Sequence, residues 1–225
     1  QAKSDGSPVT RADREAEQAA RAWIESRYPE DGILGEEFGE TRPGAKRRWL
    51  LDPVDGTRAF VKGVPLWGTL VAVVEGEQVL AGAAEFPALR ERIAAARGAG
   101  CWWNGTRCGV SGVSSLAAAT VLATDAGFRR TPERGRRWHA LAARAADART
   151  WGDCFGYLLV ATGRAELMTD GQLSPWDAAA LQVVVEEAGG VFTDWHGRAT
   201  AFGDGAIASN AVLARELREA LVATG

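Results

Sequence analysis

The chain has 225 residues, of which 46% are hydrophobic and 24% are charged, and its formal net charge is −3. So high an apolar fraction with so small a net charge excludes intrinsic disorder as the main state. Lys and Arg together number 26 against 29 Asp and Glu, which argues against a nucleic-acid partner bound through bulk charge. Because no stretch approaches ~18 consecutive apolar residues, we expect no membrane span. The polar start of the chain does not have the pattern of a signal peptide.

The first predicted helix begins at Thr10, and residues 7–9 precede it as a short extended piece. Thr10 and Asp13 have the spacing of a capping box, and Pro29 and Gly32 end the helix. The residues that continue it at helical spacing are Ala16, Ala19, Ala20, Trp23, Ile24 and Arg27.

Strands dominate the rest of the first half. Short apolar runs separated by glycine-containing turns predict a largely antiparallel sheet with helices packed on it. One of these strands ends directly before Asp52. The predicted strands cover residues 33–34, 49–51, 66–74, 79–86 and 92–96.

Helices and strands alternate in the second half. This alternation predicts a layered α/β (α+β) fold with mixed sheets, and the length is that of one domain over 1–225 with halves of about 1–115 and 116–225. The predicted helices cover 136–148, 155–162, 175–188 and 211–222, and the predicted strands cover 149–151, 165–168, 191–193 and 206–209.

The three cysteines, Cys101, Cys108 and Cys154, are odd in number and form no Cys-x-x-Cys motif. We interpret them as structural thiols of a protein in a reducing, cytoplasmic compartment. Cys101 and Cys108 flank the turn-like pair Asn104-Gly105, so a disulfide across a hairpin is the alternative.

The segment from Asp52 to Thr57, with the sequence DPVDGT, is the strongest candidate for chemistry. Two carboxylates three residues apart on a Pro- and Gly-containing turn can converge on one point. Hard cations such as Mg²⁺ bind carboxylate and carbonyl oxygens and share their coordination shell with substrate phosphate. The segment therefore predicts a metal and phosphate site, and an ordinary turn that caps a strand is the alternative.

Two further acidic segments are less specific by themselves. The pair Glu36-Glu37 follows a predicted strand and is typical of a solvated loop. Asp177 lies three residues after Ser174 with Pro175 between them, which is the pattern of a capped helix start.

Taken together, these segments resemble the inositol monophosphatase superfamily. The matching motifs are Gly-Glu-Glu around Glu36, DPVDGTRAF over 52–60, and Trp-Asp-Ala-Ala over 176–179 with Glu-Ala-Gly-Gly over 187–190. They occur in the family's order and at similar intervals. The run TRAFVKGVPLWGT over 57–69 is similar to the histidinol-phosphate phosphatase branch.

The resemblance implies the family's fold, in alternating α-β-α-β-α layers, and a site that holds two or three Mg²⁺ ions, with Mn²⁺ as the alternative. It places one ion on Glu36 and Asp52, a second on Asp52, Asp55 and Asp177, and a third, weaker one on Glu36. The carbonyl of Val54 completes this set of metal ligands.

The resemblance also implies roles for the attacking water and the substrate. Asp13 and Thr57 would orient and deprotonate the water with help from Glu36, and the amides of Gly56 and Thr57 would hold the phosphate. The residues that remain candidates for the substrate pocket are Asp153, Asp170, Arg58 and Trp67.

The implied reaction is the dephosphorylation of L-histidinol phosphate to L-histidinol in histidine biosynthesis, by a lithium-sensitive homodimer. Acids at the pocket rim suit the cationic groups of that substrate. The family normally carries a helical segment before the stretch that starts at Lys3, and this chain begins almost at that stretch, so we expect those helices to be absent.

Alternatives remain open. Within the same class, the substrate would be an inositol phosphate, fructose bisphosphate or a 3′-phosphonucleotide. A haloacid-dehalogenase mechanism would pass through a covalent aspartyl phosphate, but its acids are two residues apart and those of Asp52 and Asp55 are three. A member of the family that only binds would lack a ligand, whereas all four carboxylates are present.

Overall fold

The computed structural model describes residues 10–222, and the extended piece predicted at 7–9 lies outside them. Helix α1 spans Arg11–Arg27. The Thr10 hydroxyl accepts hydrogen bonds from the amides of Ala12 and Asp13, while the Asp13 carboxylate accepts one from the Thr10 amide. The predicted capping box is therefore confirmed.

The buried face of α1 is mostly polar, although the helix was predicted from residues at helical spacing that are mostly apolar. Ala16 and Ala19 are exposed, and Trp23 is 47% exposed. Apolar periodicity missed the true face because most of its residues are polar and form hydrogen bonds within the protein. The buried residues of α1 are Asp13, Glu17, Arg21 and Ile24.

The first sheet has eight strands in the order β2-β1-β3-β4-β5-β6-β7-β8. β1 is parallel to β3 and every other neighbouring pair is antiparallel, so the prediction of a largely antiparallel sheet is confirmed. The strands are β1 (Gly32–Gly35), β2 (Gly39–Thr41), β3 (Arg47–Asp55), β4 (Gly68–Glu75), β5 (Gln78–Phe86), β6 (Glu91–Ala96), β7 (Gly100–Trp103) and β8 (Thr106–Cys108).

β3 is longer than predicted, because it continues beyond Asp52 to Asp55. Its pairing with β4 shifts register between these two acids. The short helix α2 (Thr57–Val61), which the sequence did not predict, follows directly. Asp52 and Asp55 therefore lie at the irregular end of a core strand.

The second sheet has five strands in the order β10-β9-β11-β13-β12. β9 is parallel to β10 and β11, whereas β13 is antiparallel to β11 and β12, so this sheet is mixed as predicted. The strands are β9 (Thr120–Ala123), β10 (Asp147–Arg149), β11 (Leu167–Asp170), β12 (Val191–Thr193) and β13 (Ala206–Ser209).

One predicted helix and strand are wrong at their shared boundary. The helix predicted over 136–148 ends at Ala142, and the strand predicted over 149–151 instead covers Asp147–Arg149. This segment pairs in parallel with residues 120–122, so a tertiary contact decides its conformation. The helices of this half are α3 (Pro132–Ala142), α4 (Asp153–Ala161), α5 (Pro175–Glu187) and α6 (Ala214–Leu221).

The layers alternate as α-β-α-β-α. Helix α1 packs on β3 of the first sheet, α4 and α5 lie between the two sheets, and α3 and α6 cover the far side of the second sheet. A Cβ atom on Gly82 of β5 would lie 2.7 Å from the Cα atom of Ala180, so the strand and α5 approach closely. The division into one domain with two halves stays a prediction.

Cys101 and Cys108 face each other in the register of β7 and β8, and both are free thiols. Cys154, also free, is buried in the central core. Across residues 10–222, none of the helices combines the length and apolarity that crossing a bilayer requires.

Candidate metal and phosphate site

The first part of the site forms where β3 ends and α5 begins. Asp52, Asp55 and Asp177 offer carboxylate oxygens that all lie within 4.8 Å of one another. The Asp52 carboxylate also accepts a hydrogen bond from the amide of Val54 at 2.9 Å. Asp177 accepts one from the amide of Ser174 at 2.9 Å in the predicted capping box, so it caps α5 and belongs to this cluster.

A second group of carboxylates lies beside the first and contains Asp13, Glu36 and Glu37, whose oxygens also lie within 4.8 Å of one another. Glu36 and Asp52 line the same pocket, and the charge of Glu36 helps to raise the pKa of Asp52, so the two groups adjoin. Asp13 reaches the site from α1, and its Oδ1 lies 3.5 Å from the Thr57 hydroxyl oxygen. The structure thus brings all the predicted acidic metal ligands together and adds Glu37.

The pKa values of the first group are raised because three carboxylates of like charge lie close together and are buried. Burial first, and then the charge of Asp55, raises the pKa of Asp52 well above its usual value. Burial and Asp177 raise the pKa of Asp55 to about 7. Burial raises the pKa of Asp177 to about 7. The hydrogen bond from the Ser174 amide lowers this pKa, and the charge of Glu36 raises it.

This donor set fits divalent metal ions. Several buried carboxylates that repel one another are stabilised by a cation at their centre. Both groups found in the described part of the chain consist of carboxylates alone, which favours hard ions such as Mg²⁺, Mn²⁺ or Ca²⁺ over softer ones. The Val54 carbonyl, which accepts the Thr57 hydroxyl at 2.9 Å, is a further oxygen at the same place.

The turn after β3 has a left-handed conformation at Gly56, where protein atoms also approach closely. Gly56 has φ +79°, and a Cβ atom there would lie 3.0 Å from the Leu66 carbonyl oxygen and 3.2 Å from Oδ2 of Asp153. Only glycine adopts this conformation without strain. Position 56 therefore requires glycine, and both Gly56 and Thr57 line the pocket beside the acidic groups.

A pocket with a volume of ≈ 380 Å³ opens beside the carboxylates. Asp153 and Asp170, both predicted as substrate-binding, line it together with Arg58. Trp67 instead packs edge-on against Phe60, with ring centroids 4.9 Å apart.

The two acids of the pocket are held by residues that no motif in the sequence revealed. The amide of Asp153 donates to the Thr124 hydroxyl at 2.7 Å, and the Tyr157 hydroxyl donates to Asp170 at 2.9 Å. Burial and the charge of Asp55 raise the pKa of Asp153 to about 8. Burial raises the pKa of Asp170 to about 6, against hydrogen bonds from Thr124 and Tyr157 that lower it.

Comparison with known proteins gives concordant matches. A model of the inositol monophosphatase family matches residues 1–224. A histidinol-phosphatase of Chlorobaculum parvum is 44% identical over 97% of this chain and 85% of its own length, and one of Mycobacterium tuberculosis is 38% identical over 96% and 85%. The solved structure of an inositol monophosphatase from Zymomonas mobilis is 36% identical, with a TM-score of 0.88 over 98% of this chain and 87% of that chain.

Proposed function

Because the chain belongs to the inositol monophosphatase family, we propose that it is a metal-dependent phosphatase that converts histidinol phosphate to histidinol in histidine biosynthesis. The observation that carries this proposal is the meeting of Asp52, Asp55 and Asp177 within 4.8 Å, beside a pocket that holds two more acids. The names of two relatives at 44% and 38% identity support the choice of substrate.

The chain offers a complete set of oxygen ligands for two or three Mg²⁺ ions, with Mn²⁺ as a substitute. When bound, such ions lower the pKa of water, neutralise phosphoryl oxygens and stabilise a leaving alkoxide. The residues that would hold them are Glu36, Asp52, Asp55, Asp177 and the Val54 carbonyl.

Asp13 and Thr57 orient and deprotonate the attacking water in this proposal. The amide and hydroxyl of Thr10 hold Oδ2 of Asp13, which leaves Oδ1 toward Thr57. The Thr57 hydroxyl donates a hydrogen bond to the Val54 carbonyl, so its oxygen can accept a hydrogen bond from the water while Oδ1 of Asp13 takes the proton. With Glu36 assisting, the water oxygen bonds to phosphorus as the ester P–O bond breaks, and the leaving oxygen takes a proton from a solvent water to give the alcohol. The amides of Gly56 and Thr57 hold the phosphate.

Asp153 and Asp170 recognise the cationic part of the substrate. Histidinol phosphate carries an amine and an imidazole beside its phosphate. A cation bound beside these acids would lower their raised pKa values and pair with the charged carboxylates. Both acids line the same pocket as Asp55 and Gly56, so a small ester can reach the phosphate site and these acids at once.

The test is phosphate release from a panel of monoesters, each with Mg²⁺ and with EDTA. The panel holds histidinol phosphate, inositol 1-phosphate, fructose 1,6-bisphosphate and adenosine 3′,5′-bisphosphate. We expect Mg²⁺-dependent release with a strong preference for histidinol phosphate. Preference for inositol 1-phosphate would retain the metal chemistry and replace the substrate, and release unaffected by EDTA would overturn the metal mechanism.

Three finer properties complete the proposal. Li⁺ inhibits by competing at an Mg²⁺ site, which inhibition kinetics against Mg²⁺ would test. The protein acts in the cytoplasm, and its free thiols suit a reducing compartment. It forms a homodimer, as the family resemblance implies, and light scattering of the purified protein would measure this.

A further inference from the structure

The loop between β1 and β2 is held by a buried ion pair on α1. The Glu17 side chain is fully buried and accepts a hydrogen bond from Nε of Arg21 at 2.7 Å. The same carboxylate accepts from the amides of Glu37 at 2.8 Å and Phe38 at 3.3 Å. Arg21 in turn donates to the carbonyl oxygen of Gly39. Glu17 therefore binds the backbone of the loop, and Arg21 binds the first residue of β2 directly after it.

This loop carries Glu36. The backbone before it is pressed against the ion pair, because a Cβ atom on Gly35 would lie 2.0 Å from Oε1 of Glu17. The amide of Glu36 donates to the carbonyl oxygen of Leu51 at 3.1 Å, so β3 holds the loop from the other side. Glu36 is thereby fixed between α1 and the residue that precedes Asp52.

Glu17 also follows Asp13 by four residues, so both side chains lie on the same face of α1. Asp13 joins Glu36 and Glu37 in the second acidic group. One turn of one helix thus supplies a member of that group and the carboxylate that holds its loop.

A purely stabilising role explains this pair poorly. Burying two charges costs desolvation free energy, and well-packed apolar residues often stabilise a protein as much or more. Here Glu17 accepts hydrogen bonds from loop amides, and Arg21 donates one to the Gly39 carbonyl. Hydrogen-bond partners of this kind orient the residues that bind a metal.

We propose that Glu17, paired with Arg21, is a positioning residue that orients Glu36 for metal binding. The inference rests on the proposed function, since it concerns the ions that the acidic groups hold. It assigns to Glu17 a part in metal affinity, with no contact to the substrate.

The test compares Glu17→Gln with Glu15→Gln in the full chain. Gln keeps the size of Glu17 and removes its charge, and Glu15 is an exposed glutamate on the same helix, paired with Arg11. Titration calorimetry with Mn²⁺ measures metal affinity, and circular dichroism verifies that each variant is folded. We expect Glu17→Gln to weaken the site that uses Glu36 by about 10–100-fold, and Glu15→Gln to bind as the wild type does.

The dependence of phosphate release on Mg²⁺ concentration distinguishes a misplaced Glu36 from a loss of folded protein. In Glu17→Gln the Mg²⁺ concentration for half-maximal phosphate release rises by a similar factor, and kcat recovers at saturating Mg²⁺. A fall in kcat that Mg²⁺ does not restore, with wild-type metal affinity, would overturn the inference.

Should Glu17→Gln not fold, Glu17→Asp takes its place, because it keeps the charge but shortens the reach to the loop amides. Its metal affinity should fall as well, and an unchanged affinity in this folded variant would overturn the inference alone. Absence of metal binding by the wild-type chain would overturn the proposed function and the inference together.

Discussion

The amide of Cys154 donates a hydrogen bond to Oδ2 of Asp55 at 2.5 Å, across 99 positions of the sequence. Cys154 is the second residue of α4, where the helix leaves amides without partners of its own. Asp55 therefore belongs to the acidic group at the end of β3 and also caps a helix that lies between the two sheets. The site is thus joined to the layer of helices between the two sheets.

Replacing Asp55 by Asn should remove activity and preserve the fold. The Asn side-chain oxygen can still accept from the Cys154 amide, but its neutral charge weakens metal binding. We expect phosphate release to fall about 10²–10³-fold, corresponding to several kcal/mol of metal-dependent stabilisation, with little change in the unfolding temperature. Asp147→Asn, on the edge strand β10, is the matched control. Activity near that of the wild type in folded Asp55→Asn would contradict the metal assignment.

Gly56→Ala should impair the phosphate site more than it impairs stability. At φ +79° an alanine costs about 1–2 kcal/mol of strain, and its Cβ atom would press on the Leu66 carbonyl oxygen. Gly76, with φ +60° and open space around it, is the control that carries strain alone. Urea unfolding should show a loss of stability in both variants, larger in Gly56→Ala because of the contact with Leu66, while KM for the phosphate ester should rise only in Gly56→Ala. Equal KM values in the two variants would argue against this backbone site.

Divalent ions should stabilise the protein against heat. Binding to the folded state alone stabilises by about 2.7 kcal/mol at 100 times Kd, or about 5–10 °C for a chain of this size. The physical reason is relief of repulsion among Asp52, Asp55 and Asp177. Thermal unfolding in Mg²⁺ and in EDTA measures the shift. NaCl of equal ionic strength serves as the control, and the same shift in NaCl would speak against a specific site.

Asp153→Asn should change substrate preference without loss of folding. Asp153 has φ +50°, a conformation that Asn tolerates better than most residues. Loss of a charge-assisted hydrogen bond costs about 1.5–3 kcal/mol, so KM for histidinol phosphate should rise at least about tenfold. KM for inositol 1-phosphate, whose alcohol part carries no charge, should stay nearly constant. Parallel changes for both esters would refute a role in recognising the cation.

The ionised Asp31 side chain should contribute to the free energy of unfolding at neutral pH, and this contribution should disappear as the pH falls. Burial would raise the pKa of Asp31, but hydrogen bonds from Arg47 at 2.7 Å and Trp49 at 2.8 Å outweigh it, and the pKa lies below its usual value. A lowered folded-state pKa gives stability that is present above the unfolded value of about 3.9 and is lost as pH falls through the folded value. Asp31→Asn should therefore be less stable in urea at pH 7, and the difference should shrink below about pH 3. A difference independent of pH would disprove the role of charge.

Local features of the sequence predicted much of the fold. The capping box at Thr10 and the strands at Val191–Thr193 and Ala206–Ser209 lie where their residues predicted them, because caps and β-rich runs act over a few positions. The acidic candidates were visible for the same reason, since DPVDGT and the capped start of α5 are short patterns.

The sequence by itself determined which carboxylates are available and the order of most helices and strands. Tertiary structure alone decided that Asp147–Arg149 is a strand, that the polar face of α1 is the buried one, and that Asp55 meets Cys154. These outcomes depend on partners that lie far away along the chain, and the spacing of residues within a segment does not indicate which distant residues it will contact. The charges of the site acquire their chemistry only when packing removes them from water and sets them against one another.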